Sequence, residues 1–134
     1  IFLILEPGKK LWVTGDPERL AQVVRNLLDN ARSFTPQMGK ITVMAGADAG
    51  KVFLRVENEG PPIPEDRLEK IFERFYSERP ASEAFGMHSG LGLSISRQIV
   101  RAHKGAIFAE NIRNAQGVHR GVRLTVILPA GGAT

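Results

Sequence analysis

Gly90-Leu91-Gly92-Leu93-Ser94-Ile95-Ser96-Arg97-Gln98-Ile99-Val100 sets two glycines at the mouth of a segment whose apolar residues recur at helical spacing. A helix that starts this way bares backbone N–H groups at its positive dipole end, where a phosphate is favoured. Glycines also punctuate ordinary loops, so the pair alone decides nothing. Three upstream segments give it context: Asn26-Leu27-Leu28-Asp29-Asn30-Ala31, then Val56-Glu57-Asn58-Glu59-Gly60-Pro61-Pro62-Ile63-Pro64, then Ile71-Phe72-Glu73-Arg74-Phe75-Tyr76.

Outward from the glycine pair, the spacing predicts a helix from Leu91 to His103, closed by Lys104-Gly105 as a basic last turn and a glycine C-cap. Asp16-Pro17-Glu18 is another helix start: an N-cap acid, proline at the first helical position, and a second acid near the positive end. That helix is expected to reach about Phe34, with Leu20, Val24, Leu27 or Leu28, and Ala31 as its apolar stripe, and Thr35-Pro36 ends it. Ile41–Ala47 and Lys51–Asn58 read as strands joined across Asp48-Ala49-Gly50. Pro64-Glu65-Asp66 opens a further helix carrying Leu68, Ile71, Phe72 and Phe75 on one face. From Ser77 to Ser89 periodicity disappears over a length suited to a lid. Ala106–Asn111 and Val122–Leu128 supply two more strands around Asn114-Ala115-Gln116-Gly117. The pattern is a two-layer α/β sandwich, a mixed sheet with three main helices on one face.

Composition bounds the function. At 134 residues, 43% hydrophobic and 24% charged, the chain fits one globular domain, residues 1–134. Ile1–Leu5 is far too short for a membrane span, which needs roughly 18 apolar residues. The first residue is not methionine and no signal-peptide pattern follows it, as expected of a fragment of a longer protein. The absence of cysteine excludes disulfides and thiolate metal sites and suits a cytoplasmic domain. A net charge of +4 invites a nucleic-acid reading, but the arginines are scattered and no basic run is interleaved with aromatics. Nucleic acid is set aside.

In that order and spacing, the four segments resemble the asparagine, first glycine, phenylalanine and second glycine boxes of the sensor histidine kinase catalytic domain, the Bergerat ATP-binding fold. The resemblance covers almost the whole chain, and the runs through HSGLGLSISRQIV and NLLDNARSFTP look most like kinases of the ChvG type. It implies ATP contacts at Asn26, Asn30, Asn58, Gly60 and Ile63 and along Ser89, Gly90, Leu91, Gly92 and Leu93. Asn30 would ligate magnesium bound to ATP. Arg74 and Arg79 would reach the γ-phosphate from a lid spanning about 76–90. The implied partners are a phosphoaccepting dimerisation domain and a response regulator, with no direct membrane contact. The implied setting is the cytoplasmic side of an inner-membrane sensor.

The residues themselves agree only in part. Asn26 and Asn30 are four apart and share a helix face, with Ser33 near the same line. Aligned amides suit a polar cavity, although loop capping or solvent would also satisfy them. Hydrolytic members of the superfamily have a glutamate where this chain has Asn26, and an amide is no general base, so phosphate transfer is expected rather than vigorous hydrolysis. Along Lys51–Asn58, Asn58 falls on the side of Val52, Leu54 and Val56, and Glu57 on the other. The family has an aspartate at Asn58, accepting from the adenine amine; asparagine keeps an acceptor but loses the charge. Pro62 replaces a family glycine, fixing φ and removing an N–H. A pseudokinase or regulatory nucleotide-binding module is therefore the alternative, and an anti-sigma-factor serine kinase shares the fold. His88, His103 and His119 lack the flanking pattern of a phosphoacceptor; His103 is expected to compensate a helix dipole.

Overall fold

Asp16 sits in the extended region and its carboxylate accepts from the N–H groups of Glu18 at 3.0 Å and Arg19 at 3.4 Å. With Pro17 at the first turn, this starts helix α1 (Pro17–Phe34) where the cap chemistry requires. The computed structural model describes residues 2–5, 12–74 and 92–131. The buried stripe of α1 is Val23, Leu27 and Ala31. Val24, expected in that stripe, is exposed instead: three residues from Leu27 it lies about 60° around the helix, whereas Val23 lies about 40° away on the other side.

The strands are β1 (Phe2–Leu5), β2 (Ile41–Asp48), β3 (Lys51–Asn58), β4 (Ala106–Arg113) and β5 (His119–Pro129). They form one sheet in the order β1-β2-β3-β5-β4. β1 runs parallel to β2, and every other neighbour is antiparallel. Asp48 pairs with Lys51, so the β2–β3 connection is Ala49-Gly50, with φ of 52° and 79°. Two successive left-handed residues give the turn whose twist matches the hairpin, and Ala49 adopts it without glycine's freedom.

Register places Val43, Val56 and Leu124 side by side on the helix-facing side. Leu27 and Ala31 of α1, Ile99 and Val100 of helix α2 (Gly92–Ala102), and Phe72 join the same core. The fold is the expected two-layer α/β sandwich with a mixed sheet, but one helix differs. Residues 65–72 form two 3₁₀ turns, Glu65–Arg67 and Lys70–Phe72, not an α-helix. Consecutive Ile71 and Phe72 both enter the core, while Leu68 stays half-exposed, so no helical stripe is buried. Two α-helices, rather than three, therefore cover the sheet among the described residues. Phe75 and the expected lid lie outside those residues.

The α2 terminus is also more specific than expected. Lys104 takes the left-handed conformation, φ 63°, with its N–H on the Arg101 carbonyl, and Gly105 N–H returns to the Val100 carbonyl at 2.9 Å. This is the paired-bond Schellman end, with lysine at the left-handed position. Gly105 is needed one residue later, because a Cβ there would collide with the Ile127 carbonyl oxygen.

The outer face of the sheet carries a charged cluster. Glu57, only 8% exposed, receives Arg123 at 3.3 Å and Arg120 at 3.4 Å, and Arg123 also reaches Glu110 at 3.3 Å. Burial works against the Arg123 charge, but the hydrogen bonds and charges of Glu110 and Glu57 outweigh it and raise its pKa above the usual arginine value.

Candidate functional site

The site is assembled along one face of α1. Asn26 Nδ2 donates to the Gly92 carbonyl and to Ser96 Oγ, each at 3.1 Å. The asparagine thus braces the first turn of α2, and both its N–H groups are used. Among the described residues, a Cβ on Gly92 would meet only Asn26, at ordinary contact distance. One turn on, Asn30 is half-buried, and its side chain makes no hydrogen bond among the described residues. One turn further, the Phe34 carbonyl lies against Gly60, where a Cβ would approach it to 2.7 Å. Asn30 therefore lies on α1 between its contact with α2 and its contact with the loop after β3.

β3 delivers Asn58 to the helix-facing side, as its alternation requires: it is buried and its Nδ2 donates to the Glu59 carbonyl at 3.2 Å. Its Oδ1 is left as the acceptor facing away from that bond. Glu57 points to the opposite face and is engaged by arginines, so it does not stand in for a missing aspartate. Ile63 and Leu93 are half-buried against the core from the two flanking segments. Arg74 is exposed just after the second 3₁₀ turn. Arg79, Ser89, Gly90, Leu91 and His88 lie outside the described residues.

Ser33, expected near the asparagine line, has a buried Oγ without a hydrogen-bond partner. His103 reaches both the last turn of α2, where it was expected, and the start of α1. Its Nδ1 meets the Ile99 carbonyl at 2.7 Å, which can only accept, and its Nε2 meets the Asp16 N–H at 3.1 Å, which can only donate. With these partners Nδ1 donates and Nε2 accepts, tying the start of α1 to the end of α2. Gly15 is beside it because a Cβ would collide with the ring.

Sequence reasoning missed Ser96, Asn111 and His119. Ser96 carried a weak signal, four residues after Gly92 on the helix's inner face. Asn111 sits at the helix-facing end of β4, opposite Val122, and exchanges hydrogen bonds with the backbone of Ile63. His119 Nε2 lies 2.8 Å from the Gly60 carbonyl. Nothing local in the sequence announces either contact.

The family described as histidine kinase-, DNA gyrase B- and HSP90-like ATPase matches residues 15–132. Sensor protein ChvG of Agrobacterium fabrum is 50% identical over 119 residues, covering 88% of this chain and 20% of that protein. The chain thus spans about a fifth of the length of this relative. The solved catalytic domain of histidine kinase ThkA superposes with a TM-score of 0.79 at 36% identity, covering 96% of this chain and 78% of that one. ThkA solved in complex with the response regulator protein TrrA superposes with a TM-score of 0.74 at 34% identity, covering 96% of this chain and 34% of that one.

Proposed function

The chain belongs to the histidine kinase-, DNA gyrase B- and HSP90-like ATPase family, in its sensor-kinase catalytic form, and we propose that it binds ATP with magnesium and passes the γ-phosphate to a histidine on a separate dimerisation domain. A response regulator would then receive the phosphate on an aspartate. Residues 1–134 act as one catalytic unit, the cytoplasmic part of a membrane sensor. No described helix is long and apolar enough to cross a membrane.

The observation that carries this reading is the meeting of α1, the loop after β3 and the start of α2 around Asn30. The side-chain amide oxygen of Asn30 suits a hard cation that keeps several waters and takes its other ligands from phosphates. Bound there, magnesium would supply charge neutralisation on the phosphate oxygens. Asn26 holds the first turn of α2 so that its N–H groups face the phosphates, and it abstracts no proton. Asn58 accepts from the adenine amine through Oδ1, its Nδ2 being committed to the Glu59 carbonyl. Gly60, Ile63 and Leu93 flank the base and sugar, and Ser89, Gly90, Leu91 and Gly92 offer backbone to the phosphates. Arg74 and Arg79 approach the γ-phosphate.

Calorimetric titration with ATP, with and without magnesium, tests the pocket, and phosphorylation of the cognate dimerisation domain tests transfer. Losing the charge at Asn58 weakens one buried hydrogen bond by about 1–2 kcal/mol, roughly ten-fold in affinity. Asn58→Asp with Pro62→Gly should therefore tighten ATP binding about ten-fold; no change would sink this account. Pro62 specifically favours a second reading, a regulatory module with a closed nucleotide site, and the absence of any ATP binding would select it.

A further inference from the structure

The loop that follows β3 is short of hydrogen-bond donors. Pro61, Pro62 and Pro64 carry no N–H, so between Gly60 and Glu65 the backbone offers one donor, Ile63. That donor is taken by a side chain. Ile63 N–H gives to Asn111 Oδ1 at 2.9 Å, and Asn111 Nδ2 gives back to the Ile63 carbonyl at 2.7 Å. One carboxamide thus makes the reciprocal pair of bonds that a neighbouring strand would make. On the other side of the two prolines, His119 holds Gly60: a carbonyl only accepts, so Nε2 carries the hydrogen across 2.8 Å.

Both holding residues come from the β4–β5 hairpin. Ile112 pairs with Gly121 and Arg113 with His119, which leaves Arg120 as an extra residue on β5. Such a bulge re-aims side chains at a strand end. Here Arg120 reaches Glu57 on the outer face while adjacent His119 reaches Gly60. His119 Nδ1 is buried without a hydrogen-bond partner, so Nε2 makes the ring's one hydrogen bond among the described residues.

We propose that Asn111 and His119 are positioning residues for nucleotide binding, clamping the two ends of the Pro61-Pro62 segment so that Asn58, Gly60 and Ile63 face the nucleotide. The clamp deepens the ATP-site reading and rests on it. The prolines remove loop entropy but also remove the backbone donors that could anchor the loop, and the hairpin supplies the anchors from outside. The nucleotide never needs to touch either residue.

Asn111→Ala, Asn111→Asp and His119→Ala test this in the purified chain, at a temperature where circular dichroism shows each variant fully folded. ATP affinity with magnesium is read by calorimetry, and protection of the Ile63 amide by hydrogen exchange. Asn111→Ala should weaken ATP binding about five- to ten-fold and speed Ile63 exchange at least as much. Asn111→Asp keeps the acceptor for Ile63 N–H but sets a carboxylate oxygen against the Ile63 carbonyl, so it should weaken ATP binding at least as much as Asn111→Ala while Ile63 exchange stays slower than in Asn111→Ala. His119→Ala should weaken binding while leaving Ile63 exchange slow. If Asn111→Ala does not fold, the other two variants carry the comparison. An unaltered chain that binds ATP, with folded variants within two-fold of it, would overturn the clamp alone. An unaltered chain that binds no ATP would overturn the clamp and the ATP-site reading together.

Discussion

His103→Ala should cost this domain about 1–2 kcal/mol. The ring makes two hydrogen bonds of 2.7 and 3.1 Å, each with a net worth of about 0.5–1.5 kcal/mol. Neither partner is left in serious debt. The Ile99 carbonyl keeps the His103 backbone N–H at 3.1 Å, and the exposed Asp16 N–H can turn to water. The loss is therefore that of two net bonds, without a large burial penalty. Unfolding entropy of about 2.1 cal/mol/K per residue makes each kcal/mol worth roughly 3–4 °C in a chain of 134 residues, so the melting point should fall by roughly 4–7 °C. Urea denaturation should show a lower midpoint with an unchanged slope. Long-range proton–nitrogen NMR gives an independent check: the hydrogen should be on Nδ1 in His103 and on Nε2 in His119. A variant within 0.3 kcal/mol of the original, or an Nε2–H ring at His103, would refute the assignment.

Ala49→Gly should stabilise the domain by about 0.5–1 kcal/mol in the same denaturation assay, because Ala49 holds a left-handed φ of 52° that costs an L side chain roughly 1–2 kcal/mol. Phe72→Ala should cost about 3–5 kcal/mol, since that ring is 1% exposed and joins both helices' core residues. Glu57→Gln should cost about 1–2 kcal/mol by weakening its bonds to Arg120 and Arg123, with less loss in high salt, and leave ATP affinity unchanged because Glu57 faces away from the site.

Local chemistry made the first helix and the central strand legible. Asp16-Pro17 fixed where α1 begins, and alternation along Lys51–Asn58 assigned Asn58 and Glu57 to opposite faces. What escaped was set by distant partners. The apolar spacing of Leu68, Ile71 and Phe72 satisfies an α-helix on paper, but the chain there turns twice through i→i+3 bonds and buries only two adjacent residues. β1 pairs in parallel with β2 across the whole of α1, a contact with no local signal. In the site, the paired asparagines of α1 were readable from their spacing, whereas Asn111 and His119 act on residues 48 and 59 positions away. His103 was expected at the end of α2, and its Nδ1 does meet the Ile99 carbonyl there. Its other ring partner, the N–H of Asp16, lies 87 residues earlier and had no local signal.

The strand order has a kinetic consequence. β2 with β3, and β4 with β5, are each hairpins that can close in microseconds from nearby residues. The β3–β5 seam is different: Asn58 must find Val122, and the chain between them includes α2 and β4. Loop closure on that scale makes the seam the natural late step of folding. The seam is tight at one point, since a Cβ on Gly121 would strike the Asn58 carbonyl. Substitution there should slow refolding more than it hastens unfolding if the seam is already closed in the transition state, and do the reverse if it closes afterwards. The Asn58 end of β3, proposed above to face the nucleotide, lies on this seam. A ligand bound there would hold the two independently formed halves together.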